Sequence, residues 1–260
     1  MSKTPFRYAG LLLVFMLLFP FKLLNAQGIV NTEKMLSDAN DTFTLSMDVN
    51  GNFSFGNILF FQASSSFTGG IKKDHHLLRA VFGYDYLSSE GNIKSSDVFH
   101  QFRYNYSIGT HSLYGFYQIQ NTRSLKLKNR SLSGAGIRLN LFRNANDYFD
   151  IALGGFYESE KYELETSLPE RLTVNNIKVN VNAFWKLQLE ERTQFISTIY
   201  YQVTANKLSD QRLFVESKIS YSLNKVDLSV MYRNRTHKEP YIFGIDKSDQ
   251  RVLFGFSFDL

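Results

Sequence analysis

Val252-Leu253-Phe254-Gly255-Phe256-Ser257-Phe258-Asp259-Leu260 is the stretch whose alternation decides the fold. On a strand, Val252, Phe254, Phe256, Phe258 and Leu260 share one face, because successive side chains point to opposite sides. Gly255, Ser257 and Asp259 share the other. A soluble protein built this way would present a row of phenylalanines to water. A transmembrane β-barrel needs such a strand, with one face in lipid and the other towards the lumen. Barrel-assembly signals usually finish on Phe or Trp, whereas here Leu260 stands last and Phe258 two places before it.

The same alternation recurs through the chain and predicts a transmembrane antiparallel β-barrel of about twelve strands. Phe43, Leu45, Met47, Val49, Gly51, Phe53 and Phe55 oppose Thr44, Ser46, Asp48, Asn50, Asn52 and Ser54. Further strands are read at 58–68, 77–87, 98–108, 112–121, 132–142, 148–160 and 176–189. The set is completed by 195–204, 212–223, 226–235 and 250–260. Only 112–121 is ambiguous, since both of its faces carry aromatics.

Short turns are expected at Ile71–His75, Gly109–His111, Arg143–Asp147, Glu190–Thr193 and Asn224–Lys225. They alternate with longer polar segments at 88–97, 122–131, 161–175, 205–211 and 236–249, while the junction at Gly56-Asn57 is tight. Short periplasmic turns on one rim and longer extracellular loops on the other are the outer-membrane layout. A secreted β-sandwich or lipocalin-like barrel would alternate too, because it buries one face. Three features argue against it. The strands exceed the usual length of roughly five to six residues; the polar face carries charges on most strands; and Tyr84, Tyr86, Tyr104, Tyr106, Trp185, Tyr221 and Tyr232 sit towards strand ends as an interfacial girdle does.

The N-terminus carries an envelope address. Lys3 and Arg7 precede the apolar run Ala9–Phe21, and Leu24-Asn25-Ala26 offers a small-residue cleavage site. Residues 1–26 read as a cleaved signal peptide, 27–41 as a short periplasmic lead-in and 42–260 as the barrel. Removing Lys3, Arg7 and Lys22 with the leader takes the 29 basic residues to 26 against 24 acidic, so the net charge falls from +5 to +2. No case for a nucleic-acid partner survives that change. The chain has no cysteine, which excludes disulfides, thiol nucleophiles and thiolate metal sites. A mean hydropathy of −0.23 resembles that of a soluble protein, but averaging over alternating strands hides one apolar face.

Function is sought on the inward parity. Arg79, Asp85, Arg103, Arg138, Glu158, Glu160, Lys178, Lys186, Arg212, Glu216, Lys218, Asp227 and Arg233 all fall on it. Both signs are interspersed, so a mutually neutralising lumen network is expected. Phe60, Phe99, Phe156, Phe184, Tyr200 and Phe214 share this parity and narrow the bore. Roughly eight strands are just filled by side chains and roughly 16–18 leave an aqueous channel, so a barrel of about twelve suits a narrow small-solute channel or a structural envelope protein. The alternative is a lipid-modifying hydrolase or acyltransferase with a rim site near His100. Ser133 and Ser159 share outward parity near the outer strand ends. None of these shows spacing that assembles a triad, and His75, His76, His111 and His237 do not pair with carboxylates at metal-ligand spacing. No enzyme, cofactor or metal site is expected.

Ile29-Val30-Asn31-Thr32-Glu33 resembles the lead-in motif of the salt-induced outer-membrane protein family (domain of unknown function 481). Phe99-His100-Gln101-Phe102-Arg103-Tyr104-Asn105-Tyr106 is similar to its strand-four signature. So are Gln118-Ile119-Gln120-Asn121 and Arg130-Ser131-Leu132-Ser133-Gly134-Ala135-Gly136-Ile137-Arg138. The resemblance runs over the mature chain. It implies an outer-membrane barrel and carries over no activity or catalytic residue. The expected partners are outer-membrane lipid and, during biogenesis, the barrel-assembly machinery, with the protein itself a monomer.

Overall fold

The computed structural model of the protein describes residues 43–54, 60–163 and 171–259. The leader 1–26, the lead-in 27–41, the Gly56-Asn57 junction and Leu260 lie outside them. The described residues form twelve strands. The first six are β1 (Phe43–Ser54), β2 (Phe60–Lys73), β3 (His76–Ser89), β4 (Asn92–Ile108), β5 (His111–Thr122) and β6 (Leu127–Arg143). The others are β7 (Tyr148–Glu163), β8 (Arg171–Glu190), β9 (Thr193–Thr204), β10 (Lys207–Leu223), β11 (Val226–His237) and β12 (Ser248–Asp259).

Each strand pairs antiparallel with its chain neighbours, and β12 returns to β1 to close the barrel. The seam sets Met47 opposite Phe258, Val49 opposite Phe256 and Gly51 opposite Phe254. Closure gives every described strand a hydrogen-bonded neighbour on both sides, the condition for placing a sheet in lipid. Parity sorts the two faces. Phe43, Met47 and Val49 of β1, and Phe254 and Phe256 of β12, are exposed on the outer wall. Ser46, Asn50 and Ser257 of the same strands are buried on the inner one.

Strand five resolves in the same way. Leu113, Tyr117 and Ile119 face outward, while Tyr114, Gln118 and Gln120 are buried in the lumen. The inward aromatic on β5 fits because glycines face it. A Cβ on Gly136 would stand 2.6 Å from the Tyr114 hydroxyl, and one on Gly154 2.5 Å from it. Both faces of β5 are aromatic because the lumen has a layer of rings to fill as well as lipid to face.

The connections differ from the expected ones mainly on one rim. Among the described connections of the short-turn rim, the first is only Asp74–His75, with Ile71–Lys73 completing β2. On the opposite rim, much of the residues 88–97 and 205–211 is strand, turning at Glu90-Gly91 and Ala205-Asn206. Above the bilayer both strand faces meet water, so the apolar alternation fades while the backbone ladder continues. Register shifts at Leu87/Ser88 and Lys207/Gln211 mark that change of environment. Residues 122–131 contain a single 3-10 turn, Arg123–Leu125, before β6 resumes. The ten residues 238–247 between β11 and β12 are the longest described connection.

Candidate functional site

The lumen is divided into groups along its length and around its wall. Nearest the long-loop rim, β6, β7, β8 and β10 send Arg130, Glu158, Glu160, Lys178, Asp210 and Arg212 inward, all of them buried. The Arg212 Nη1 donates to Glu158 at 2.9 Å, and its Nη2 donates to Glu160 at 2.9 Å. The Arg130 Nε donates to Glu158 at 2.7 Å and lies 3.2 Å from Glu160. Lys178 bridges Glu158 at 3.3 Å and Asp210 at 3.1 Å. Three cations thus face three carboxylates, and the cluster is neutral. Removing any one member would leave an uncompensated buried charge, which is far costlier than the pair itself is stabilising.

Asp210 extends this cluster to the rim. It accepts hydrogen bonds from the Thr204 hydroxyl and, at 2.5 Å, from the Tyr241 hydroxyl, and its other oxygen lies 2.7 Å from His237 Nε2. Tyr241 belongs to the 238–247 connection, and Asn176 of β8 donates to its hydroxyl at 2.8 Å. Burial, reinforced by the bond to Asp210, pushes the Tyr241 phenol above its ordinary value, so it remains a donor.

Below this cluster lies a layer of rings. Tyr114, Tyr148, Phe184, Tyr200 and Phe214 form one buried cluster with Ala152, and Phe116 packs against it. Arginines stack on these rings: Arg103 over Tyr114 at 4.3 Å and Arg138 over Phe184 at 4.5 Å. Arg138 also donates to Asp150 at 2.7 Å, and Arg143 and Asn140 donate to the same carboxylate at 3.0 Å and 2.6 Å. The rings fill the wall from β5 to β10.

The wall from β10 through β12 to β3 is different. It carries small inward residues (Ser46, Ser64, Thr68, Ser229, Ser257) beside buried Val81, Met231 and Leu253. Arg79, Arg235 and Asp249 are buried there, while four of its charges keep some access to water. Lys218 donates to Asp48 at 3.0 Å and to Ser257 at 2.7 Å, tying β10 to β12 and β1 across the seam. Arg233 donates to Glu216 at 2.9 Å and lies 3.9 Å from Asp85, reaching from β11 to β3. The side chains of Asp48, Asp85, Lys218 and Arg233 are 12–16% exposed, whereas those of Glu158, Glu160 and Lys178 are 0% exposed.

The thirteen charged residues read from parity therefore separate. Glu158, Glu160, Lys178 and Arg212 form one cluster; Asp85, Glu216 and Arg233 a second. Arg138 and Lys218 pair with Asp150 and Asp48, two acids outside the expected set. Arg79 donates to Asn105 at 2.9 Å and stands opposite Arg103 in the β3–β4 register. Lys186 and Asp227 stand near the short-turn rim, level with Tyr148 and Ser257 respectively. Asp210 and Tyr241 went unseen in the sequence, and His237 was weighed only as a metal ligand, because their segments read as loop. Carrying the parity of Arg212 back to Asp210, and that of Arg233 on to His237, would have found two of them.

The outer wall near His100 does not assemble a nucleophile and base. Register sets His100 opposite Ile119, and Ile119 opposite Ser131. Two strand spacings, roughly 9–10 Å, thus separate His100 from the nearest β6 hydroxyl on its level. Phe82 packs edge-on against the His100 ring, with centroids 5.2 Å apart.

Residues 61–259 match the model of one protein family, described as protein of unknown function, DUF481. The chain belongs to the family of proteins of unknown function DUF481. No curated protein matches this DUF481 chain. Among solved structures it is similar to the NanC porin, at 8% identity over 84% of this chain and 100% of that one, with a TM-score of 0.54. It is also similar to the translocator domain of the autotransporter NalP from Neisseria meningitidis, at 13% identity over 86% and 91% of the two chains, with a TM-score of 0.50. At such identities the likeness concerns the fold, that of outer-membrane β-barrels.

Proposed function

We propose that this DUF481 chain is a monomeric outer-membrane barrel that passes small solutes along a narrow polar lane. The observation that carries the reading is the unequal lumen. Asp48, Asp85, Lys218 and Arg233 retain access to water on the β10–β12 and β1–β3 wall, while rings and a dry ion cluster fill the other side. Such a lumen suits ions and small polar molecules and excludes the solutes of a wide porin. In this reading the short-turn rim faces the periplasm, where export through a cleaved leader and the barrel-assembly machinery would deliver the chain. No catalytic step is assigned, because His100 has no hydroxyl on its strand level within reach.

Planar-bilayer recordings of the purified, refolded protein test this. Small unit currents are expected, and Glu216→Lys, beside Arg233 in the lane, should change their size and ion preference. The absence of unit currents from both proteins would refute the channel and leave a structural envelope role, which the filled half of the lumen favours.

A further inference from the structure

The connection between β11 and β12 joins two adjacent antiparallel strands, a task that two to five residues usually perform. It has ten, 238–247, and they do not stand away from the barrel. Ile242 is buried with Leu125, Leu127 and Tyr162, and Tyr241 and Ile245 pack against the same group together with Leu172 and Val174. Those partners belong to the β5–β6 turn and to β6, β7 and β8. Round the closed barrel, β6 is diametrically opposite β12. A segment that leaves β11 and seats its apolar side chains on β6 and β7 must cross the mouth.

The crossing is fastened in its buried part at Tyr241, and at its exposed start by the Lys207–Glu239 pair at 2.6 Å and the Lys238 N–H donating to the Gln211 carbonyl at 2.9 Å. Tyr241 donates to Asp210 at 2.5 Å and accepts from Asn176 at 2.8 Å, and its ring meets those of Tyr162 and His237 edge-on, at 6.2 Å and 5.4 Å. Pro240 limits the backbone just before this anchor. Gly244, at φ +82°, makes the turn that brings Ile245 back to the same apolar group, and Phe243 at the tip is fully exposed. The connection thus has one buried face, one exposed tip, a buried latch at Tyr241 and an exposed ion pair at Glu239.

We propose that 238–247 is a lid on the long-loop mouth, latched by the Tyr241–Asp210 hydrogen bond, and that lifting it opens the β7–β10 side of the mouth, above the ion cluster, to water and solutes. The inference rests on the channel reading for its consequence but not for its geometry, and the two can be tested apart. The protein has no cysteine, so a single one can be placed at will. Gln202 is buried on β9, level with Arg212, directly beneath the lid anchor, and Ser46 is buried near the other mouth on β1. Gln202→Cys and Ser46→Cys would each be labelled with a charged methanethiosulfonate in detergent micelles. Three backgrounds are compared: the full chain, Tyr241→Phe, and a variant with 238–247 replaced by Asn-Gly.

Lid replacement should speed labelling at position 202 by at least roughly tenfold and leave position 46 unchanged. Tyr241→Phe, which removes the charge-assisted hydrogen bond to Asp210 and the one accepted from Asn176 while preserving the ring packing, should give roughly a three- to tenfold increase. A rate at position 202 within twofold of the full chain in both variants would overturn the lid. Faster labelling with no unit current from any of the three backgrounds would uphold the lid and defeat the channel. Far-UV circular dichroism and heat-modifiable gel mobility report folding, and the mild Tyr241→Phe keeps the test decisive if the shortened chain fails to assemble.

Discussion

Arg212→Met puts the dry cluster to its hardest test. The substitution removes a guanidinium that donates to Glu158 and bidentately to Glu160, at 2.9 to 3.0 Å. Glu158 keeps Arg130 and Lys178, and Glu160 keeps Arg130 and the Tyr162 hydroxyl at 3.0 Å. What changes is the balance: one negative charge is left over in a group whose carboxylates are 0% exposed. Breaking a buried pair from one side costs about 3–5 kcal/mol. With a guanidinium slope of about 4 kcal/mol per M, the unfolding midpoint should fall by about 1 M. The sole tryptophan, Trp185, packed edge-on with Phe149 at 5.9 Å, supplies the fluorescence signal in lipid vesicles. Arg212→Met combined with Glu160→Gln restores neutrality and should recover to within about 1–2 kcal/mol of the parent. A loss under about 1 kcal/mol for the single variant, the size of a solvated pair, would show that water reaches the cluster and would refute the reasoning. So would a double variant as unstable as the sum of its parts.

Three further outcomes are expected. A Cβ on Gly83 would fall within the ring of its cross-strand partner Phe99, so Gly83→Ala should cost about 1–3 kcal/mol in the same unfolding assay. Phe99→Ala in the same chain should remove that penalty, and a penalty that persists would place the clash elsewhere. Phe256→Arg, on the lipid-facing side of the closing strand, should cost about 2–4 kcal/mol if it lies near the bilayer midplane, read as loss of the heat-modifiable folded band; undiminished assembly would mean that this face is not in lipid. Arg138→Gln should be milder than Arg212→Met, about 1–3 kcal/mol, because Arg143 and Asn140 remain on Asp150. An equal loss for the two would remove the distinction between an acid left with a cation of its own and a dry cluster left with surplus charge.

Much of the architecture was legible because lipid imposes a strict local rule. Every membrane-crossing strand must be apolar on one face, so Phe43 to Val49 and Phe254 to Phe256 declare their orientation without reference to any neighbour. The rule lapses above the bilayer. Ser95 and Asp97 of β4, and Asp210 of β10, lie on paired strand but read as loop, since no apolar face is required of them. The inward charges were legible by the same parity, yet their partners were not. Arg233 faces Glu216 directly across the β10–β11 pair, but it meets Asp85, and Lys218 meets Asp48, only after β1 and β12 have closed the wall. The aromatics of β5 were ambiguous until register placed Gly136 and Gly154 beside Tyr114.

The closing strand, with Phe254 and Phe256 outward and Gly255 and Ser257 inward, shows the division. Its period and polarity, and hence the barrel and its two environments, are local properties that the chain carries in its own order of residues. The division of the lumen into a dry cluster, a ring layer and a polar lane is not local, and neither is the strap from β11 that reaches β6. Those depend on which inward side chains closure brings face to face across the bore, and alternation along a single strand carries no information about the opposite wall.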